Sequence, residues 1–219
     1  MSSCKLARNA DFQAIIPVRG KTLNCLKSSY DKIFASDIIT DLIRVIGCGV
    51  EVDKKIKGDI PRFDPEALRW SKIILCTDAD EDGFQIRTLL LTLIYRLLPS
   101  LIPMDKIYIA ESPLFEINAK VNGKEETFFA YDEREKVQIL KKIDGCKYVM
   151  HRSKGLGENA ADMMALTTMN PATRRLVKVT EADALETAEI FDTLLGDNLA
   201  ARKEYIAANG SKYMADADI

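Results

Sequence analysis

The seven residues Thr77-Asp78-Ala79-Asp80-Glu81-Asp82-Gly83 hold the densest set of reactive groups in the chain. Three aspartates at alternate positions put like charges close together, and neighbouring carboxylates do not all stay ionised cheaply without a counter-cation. An all-oxygen donor set selects a hard ion, Mg²⁺ or Mn²⁺ ahead of zinc. The same D-x-D-x-D-G spelling opens a calcium-binding EF-hand loop, whose twelfth position is an acid. Counted from Asp78, that position is Leu89, so the EF-hand reading fails. Capping of a following helix would use one acid, not three in alternation. Carboxylates of this kind suit displacement at a phosphodiester, where a metal stabilises the charge developing on the leaving oxygen.

The remaining inventory narrows the chemistry. His151 is the single imidazole, which excludes a zinc site with two or more histidines and leaves a Ser-His-Asp set unsupported; its ordinary place is a strand end or the surface. Cys4, Cys25, Cys48, Cys76 and Cys146 are scattered, odd in number and without a C-x-x-C pair, and read as reduced thiols, mostly core filler. Gly155-Leu156-Gly157-Glu158-Asn159-Ala160 fits the dinucleotide spelling G-x-G-x-x-[GA], with Glu181 roughly 20 residues on, a weak signal when taken alone.

The elements that must position the acidic loop follow from periodicity. Lys72–Cys76 is a short apolar run suited to a buried strand, and a long apolar helix is expected after the loop, from about Phe84. Strand, loop and helix in that order form the βα unit of a parallel α/β sheet, whose ligands bind beyond the strand's C-terminal end. Ser36 is placed to cap a helix with Ile38, Ile39, Leu42, Ile43 and Ile46 inward and Gly47 at its end. A short helix is expected from Asp64-Pro65 to Trp70, and a strand over Ile107–Ala110. Asn122-Gly123 predicts a hairpin between Leu114–Val121 and Lys124–Tyr131, followed by a helix over 132–142 and a strand over Lys147–His151. Thr180 opens an amphipathic helix with Leu185, Ala188, Phe191 and Leu195 inward, stopped by Gly196; a last helix runs from Leu199 to Asn209-Gly210.

The chain has 219 residues, 47% hydrophobic and 29% charged, enough to bury a core and unlike a disordered polymer. Its most apolar stretch, Leu89–Ile102, is broken by Arg96 and Pro99 and is shorter than the ~20 residues of a bilayer crossing. No secretory core occupies the first residues, and a cytoplasmic place is expected. The 31 basic and 33 acidic residues nearly cancel, yet they are unevenly spread. Residues 1–30 carry five basic groups against Asp11, residues 141–180 carry eight against three acids, and residues 181–197 carry six acids and no base. Such basic blocks would track phosphates if the fold gathers them, and are otherwise solvated surface.

Six strings in order resemble the C-terminal half of the B subunit of bacterial type IIA DNA topoisomerases, the gyrases and topoisomerases IV. They are Ile16-Pro17-Val18-Arg19-Gly20-Lys21-Thr22-Leu23-Asn24, Thr77–Gly83, Ile86-Arg87-Thr88-Leu89-Leu90-Leu91, Tyr108–Ala110 with Pro113-Leu114, Lys154-Gly155-Leu156-Gly157-Glu158, and Thr167-Thr168-Met169-Asn170-Pro171. The resemblance implies an α/β Toprim fold, a small parallel sheet flanked by helices, over residues 1–118, with an α+β tail over 119–219. It implies Asp78 and Asp80 as metal ligands, Asp82 in support as a third catalytic acid, and Arg19, Lys21 and Lys154 beside DNA. It further implies Mg²⁺ (Mn²⁺ as substitute) for cleavage and rejoining of both DNA strands. The attacking tyrosine would come from an A subunit, in an A2B2 assembly near the nucleoid. The family's E-G-D-S glutamate and ATP-hydrolysing region would lie upstream of Met1. Gln85 stands where the family has a histidine, Ser153 where it has an aromatic, and Ala165 where it has a tail tryptophan. Two other readings fit the acidic loop: a Toprim primase or nuclease, and a Mg²⁺- and DNA-binding module without turnover.

Overall fold

The computed structural model describes residues 2–53, 60–78, 80–153, 155–157, 159–181 and 184–213. In chain order it contains helices α1 (Ser2–Ala7), α2 (Tyr30–Phe34) and α3 (Asp37–Ile46), strand β1 (Ile73–Leu75) and helix α4 (Glu81–Leu97). Strands β2 (Ile107–Glu111), β3 (Phe115–Val121) and β4 (Lys124–Ala130), helix α5 (Glu133–Lys142) and strand β5 (Tyr148–Arg152) follow. Helix α6 (Ala161–Met164), a π turn over Ala165–Met169, strand β6 (Arg175–Lys178) and helices α7 (Ala184–Leu195) and α8 (Leu199–Tyr213) complete it. The content is mixed α/β, as the sequence implies. The chain groups into two compact units, one of Met1–Pro17, Cys76–Phe84 and Ile109–Val177, the other of Val18–Leu75, Gln85–Tyr108 and Lys178–Ile219.

The first unit contains the acidic loop. Its sheet has the order β4-β3-β5, with β3 antiparallel to both neighbours. Asn122 and Gly123 both take positive φ, 51° and 82°, the mirror-image turn that matches strand twist, so the hairpin forms where the dipeptide predicts it. Phe115, Ile117 and Ala119 alternate inward along β3 and meet Ala130 and Ile143 in a small core. Asp132 starts α5 by accepting the Glu135 N–H at 2.6 Å. Helix α1 packs on α6 and the π turn, where Met163 and Met164 are buried.

The second unit holds the larger core, in which Ile33, Ile39, Ile43, Leu97, Leu98, Leu101 and Ile107 exclude water almost completely. Within it the Ile73 N–H reaches the Lys106 carbonyl at 2.7 Å and the Val179 N–H reaches that of Ile107 at 3.0 Å, linking strands in the order β1-β2-β6. Helix α3 ends at Gly47, whose φ of 93° is cheap only without a side chain. Ile38, expected inward, is exposed on this helix, and the Ser36 side chain makes no cap bond.

Three further expectations are corrected. The helix after the acidic loop begins at Glu81, not Phe84, because Asp80 starts it three residues earlier. The Asp64–Trp70 helix is a 3₁₀ turn over Pro65–Ala67, since Leu68 returns to extended backbone and Trp70 instead donates its indole N–H to the Val45 carbonyl at 2.7 Å. Helix α8 runs through Asn209-Gly210 to Tyr213, with the Asn209 amide donating to the Tyr205 carbonyl one turn back at 3.0 Å. Strand β6 carries no periodic signal in the sequence. In the expected helix after Thr180, Leu185's side chain falls outside the described residues, while Phe191 stacks on Tyr95 with centroids 4.4 Å apart.

Candidate metal and DNA site

Asp78 sits just beyond the C-terminal end of β1, separated from it by Cys76 and the buried Thr77. Its Oδ1 accepts the backbone N–H of Leu156 at 2.6 Å. Gly155 is close as well: a Cβ built there would stand 3.6 Å from the Asp78 carboxyl atoms. The second and fifth of the ordered strings therefore meet in space, although 78 residues separate Asp78 from Leu156. Lys154, expected beside DNA, and Glu158 lie outside the described residues.

The loop's shape depends on Gly83 and Asp80. A Cβ on Gly83 would fall 2.1 Å from the Asp78 carbonyl oxygen, a backbone collision no rotamer relieves, so the D-x-D-x-D-G glycine is set by close approach. Asp80 Oδ1 accepts the Gly83 N–H at 2.7 Å, and the Asp80 carbonyl accepts the Phe84 N–H at 2.9 Å. Asp80 is thus the N-cap of α4, and Glu81 and Asp82 lie in its first turn beside the positive end of the helix dipole. A single acid does the capping, which leaves Asp78 to a different task.

Among the described residues, no three His, Cys, Asp or Glu side chains converge as a ready-made metal cluster. Asp78 and Asp80 together offer carboxylate oxygens only, and a magnesium ion, which keeps several waters, is held by one or two such groups. The donor set thus fits a hard divalent cation and not zinc.

The Gly155-Leu156-Gly157 segment has its own supports. The Ser153 N–H donates to the Leu114 carbonyl at 2.9 Å, and the Ser153 hydroxyl donates to Asn159 Oδ1 at 2.6 Å. Asn159 is buried and passes its amide N–H to the Met164 sulfur at 3.6 Å. Ser153, where the family carries an aromatic, acts here as an anchor. His151 is exposed on β5.

The scattered cysteine spacing did not announce that Cys4 and Cys76 influence one another: their mutual interaction, ahead of any other cause, lowers Cys4 to about 7 and raises Cys76 above the ordinary thiol range, with burial adding to the latter. Cys25 and Cys48 are the core filler the sequence predicts, and burial lifts Cys25 to about 11.

Arg19 and Lys21 belong to the second unit and are exposed there, flanking Gly20 at a φ of 73°. The chain just after them is held by Arg96, which donates to the carbonyls of Cys25, Leu26 (2.7 Å) and Ser28 (3.0 Å) and lies 4.7 Å from the Tyr30 ring centroid. Asn24 adds an Asx turn to the Leu26 N–H at 3.0 Å and donates to the Leu195 carbonyl at 3.2 Å. Sequence reasoning missed Arg96 as a positioning residue, although a lone arginine inside an apolar helix was the signal. Three basic-block members are already in ion pairs: Lys27 with Asp197 at 3.2 Å, Arg175 with Glu135 at 2.6 Å and Lys178 with Asp105 at 3.0 Å. Hydrogen bonds to these acids raise the proton affinity of Arg175 and Lys178.

A metal-suited carboxylate loop at a strand end, capped onto a helix and covered by a glycine-rich segment, defines a Toprim-type site. Residues 1–112 match the Toprim domain family and residues 145–207 match the family described as DNA gyrase B subunit, carboxyl terminus. The chain belongs to the Toprim family, in the form found in DNA gyrase B. It is 41% identical over 96% of its length to the gyrase B protein of Thermotoga maritima, covering 31% of that protein. It is 40% identical over 99% of its length to gyrase B of Halalkalibacterium halodurans (32% covered), and 41% over 93% to that of Thermus thermophilus (31% covered). The chain thus spans about a third of the length of these relatives. No helix among the described residues is long and apolar enough to cross a membrane.

Proposed function

We propose that this chain supplies the Mg²⁺ site with which a type IIA topoisomerase of gyrase type cleaves and rejoins both strands of DNA. The observation that carries the reading is the Leu156 N–H on Asp78 Oδ1 at 2.6 Å, which brings the K-G-L-G-E segment onto the carboxylate loop. Asp78 and Asp80 hold the cation, with Mn²⁺ as a substitute, and Asp82 supports them from the first turn of α4. When bound, the cation stabilises charge on the phosphodiester's leaving oxygen. The Leu156 N–H fixes the Asp78 carboxylate in one orientation, and the Gly83 N–H does the same for Asp80, so neither has to reorganise as charge develops. Arg19 and Lys21 lie beside the cleaved DNA, with Lys154 near the same site. The attacking hydroxyl is a tyrosine of a partner A subunit, in an A2B2 assembly that takes ATP through the family's ATP-hydrolysing region and works in the cytoplasm at the nucleoid. The same reading places the Toprim region over 1–118 and the tail over 119–219.

The test joins this sequence to the family's upstream ATP-hydrolysing and E-G-D-S regions and mixes it with a cognate A subunit, Mg²⁺, ATP and plasmid. Supercoiling that disappears in the Asp78→Ala, Asp80→Ala double variant supports the proposal. Undiminished activity in that variant removes it.

A further inference from the structure

We infer that Asn159 is a positioning residue for the carboxylate loop: with Ser153 it clasps the glycine-rich segment shut and so keeps the Leu156 N–H on Asp78. This role rests on the proposed reading of Asp78 as a cation ligand, whereas the clasp itself rests on hydrogen bonds within the chain. Ser153 and Asn159 stand six residues apart, at the two ends of the segment, and the Ser153 hydroxyl donates to Asn159 Oδ1 at 2.6 Å. Midway between them the Leu156 N–H donates to Asp78 Oδ1, also at 2.6 Å. Gly155 and Gly157 flank that donor, and glycine gives up more backbone freedom on ordering than any other residue. A segment of this kind holds one N–H in one direction only when both its ends are fixed.

The two ends are fixed by different means. At the first, the Ser153 N–H donates to the Leu114 carbonyl at 2.9 Å and continues the pairing of β5 with β3. At the second, Asn159 is 6% exposed, and its amide N–H donates to the sulfur of the fully buried Met164 at 3.6 Å. A buried amide is costly unless its oxygen and nitrogen both find partners, and here the hydroxyl takes the one and the sulfur the other. An apolar side chain of the same size would fill that place without the desolvation cost. What it could not do is accept the Ser153 hydroxyl and so join the ends across the Leu156 donor. Groups that orient a ligand from behind in this way set how well the ligand holds its cation.

Amide hydrogen exchange at Leu156, read by NMR in the 219-residue chain without cation, is paired with Mn²⁺ affinity read by electron paramagnetic resonance. Ser153→Ala and Asn159→Leu each remove the clasp and leave the charge of the loop intact. Leu156 exchange is expected to quicken by about three- to tenfold in either variant, with Mn²⁺ affinity falling by a like factor. The double variant falls no further than the single ones, because both remove one bond. Ser153→Thr, which keeps the hydroxyl, keeps the protection. Thr127→Val removes a bond of the same 2.6 Å length, from the Thr127 hydroxyl to Asn118 Oδ1 in the same unit, and controls for general loosening. Unchanged exchange in Ser153→Ala, an equal rise in Thr127→Val, or faster exchange that leaves a measured Mn²⁺ affinity untouched overturns the assignment. Should the unaltered chain bind no Mn²⁺ while Leu156 exchange still responds, the clasp stands and the cation reading fails, so the two failures are told apart.

Discussion

The Leu156 amide and the Asp78 carboxylate are joined by a 2.6 Å hydrogen bond that spans 78 residues of sequence. A charge-assisted bond of this length is worth about 1.5–3 kcal/mol, and it commits one Asp78 oxygen to the protein. Leu156→Pro removes the donor without altering the charge of the loop. Divalent-cation affinity is expected to fall by about tenfold; Mn²⁺ titration followed by electron paramagnetic resonance, at fixed pH, reads the change.

Glycines in the site divide into two kinds. Gly83→Ala forces a Cβ to 2.1 Å from the Asp78 carbonyl, whereas Gly155→Ala makes ordinary contact at 3.6 Å and Gly157→Ala meets nothing within 4 Å. Gly83→Ala is expected to cost about 2–3 kcal/mol in urea unfolding, and the other two under about 1 kcal/mol. Equal costs at all three positions would show that the close approach does not matter.

Arg96 serves as a cap for three carbonyls of the segment after Lys21. Arg96→Ala leaves those acceptors unpaired in a partly buried place and is expected to destabilise the chain by about 2–4 kcal/mol. Lysine carries the charge but not the planar fork, so Arg96→Lys recovers a minor part of it.

The proposed DNA contacts are tested through their salt dependence. Arg19→Ala is expected to lower the salt dependence of DNA binding by about one unit of slope. Arg175→Ala and Lys178→Ala, whose charges are balanced by Glu135 and Asp105, leave that slope nearly unchanged. Fluorescence anisotropy across a salt series separates the two classes.

Alkaline stability reports on Cys25, whose buried thiol is lifted from an ordinary 9.0 to about 11. Below the ordinary value both folded and unfolded chains keep the proton. Between the two values the unfolded chain releases it and the folded chain does not, so folding stability falls as pH rises. The expected loss is about 2–3 kcal/mol, and Cys25→Ala flattens that part of the profile in urea unfolding followed by circular dichroism.

What was legible in the sequence depended on range. Asn122-Gly123, Gly47 and the strand before Asp78 carry their signals within a few residues, because backbone sterics and turn chemistry are local. The identity of the α4 cap was ambiguous for a physical reason: Asp78, Asp80 and Asp82 are chemically equal, and only the chain's path decides which carboxylate turns back onto the helix. The Cys4–Cys76 interaction and strand β6 are set by tertiary packing, which no local spacing encodes. Charge blocks in 1–30 and 141–180 were visible as composition, yet the pairing of Lys27, Arg175 and Lys178 was not. Arg96 sat in plain view as an interruption of an apolar run, and its acceptors, some 70 residues away, did not.

The central claim is that Asp78 holds a divalent cation. Isothermal titration of the intact chain with Mg²⁺, compared with Asp78→Ala and with Asp162→Ala as a control for general acidity, tests it most directly. Saturable binding that weakens by about tenfold or more in Asp78→Ala and persists in Asp162→Ala is the predicted result. Equal Mg²⁺ affinity in the unaltered chain and in Asp78→Ala would contradict it.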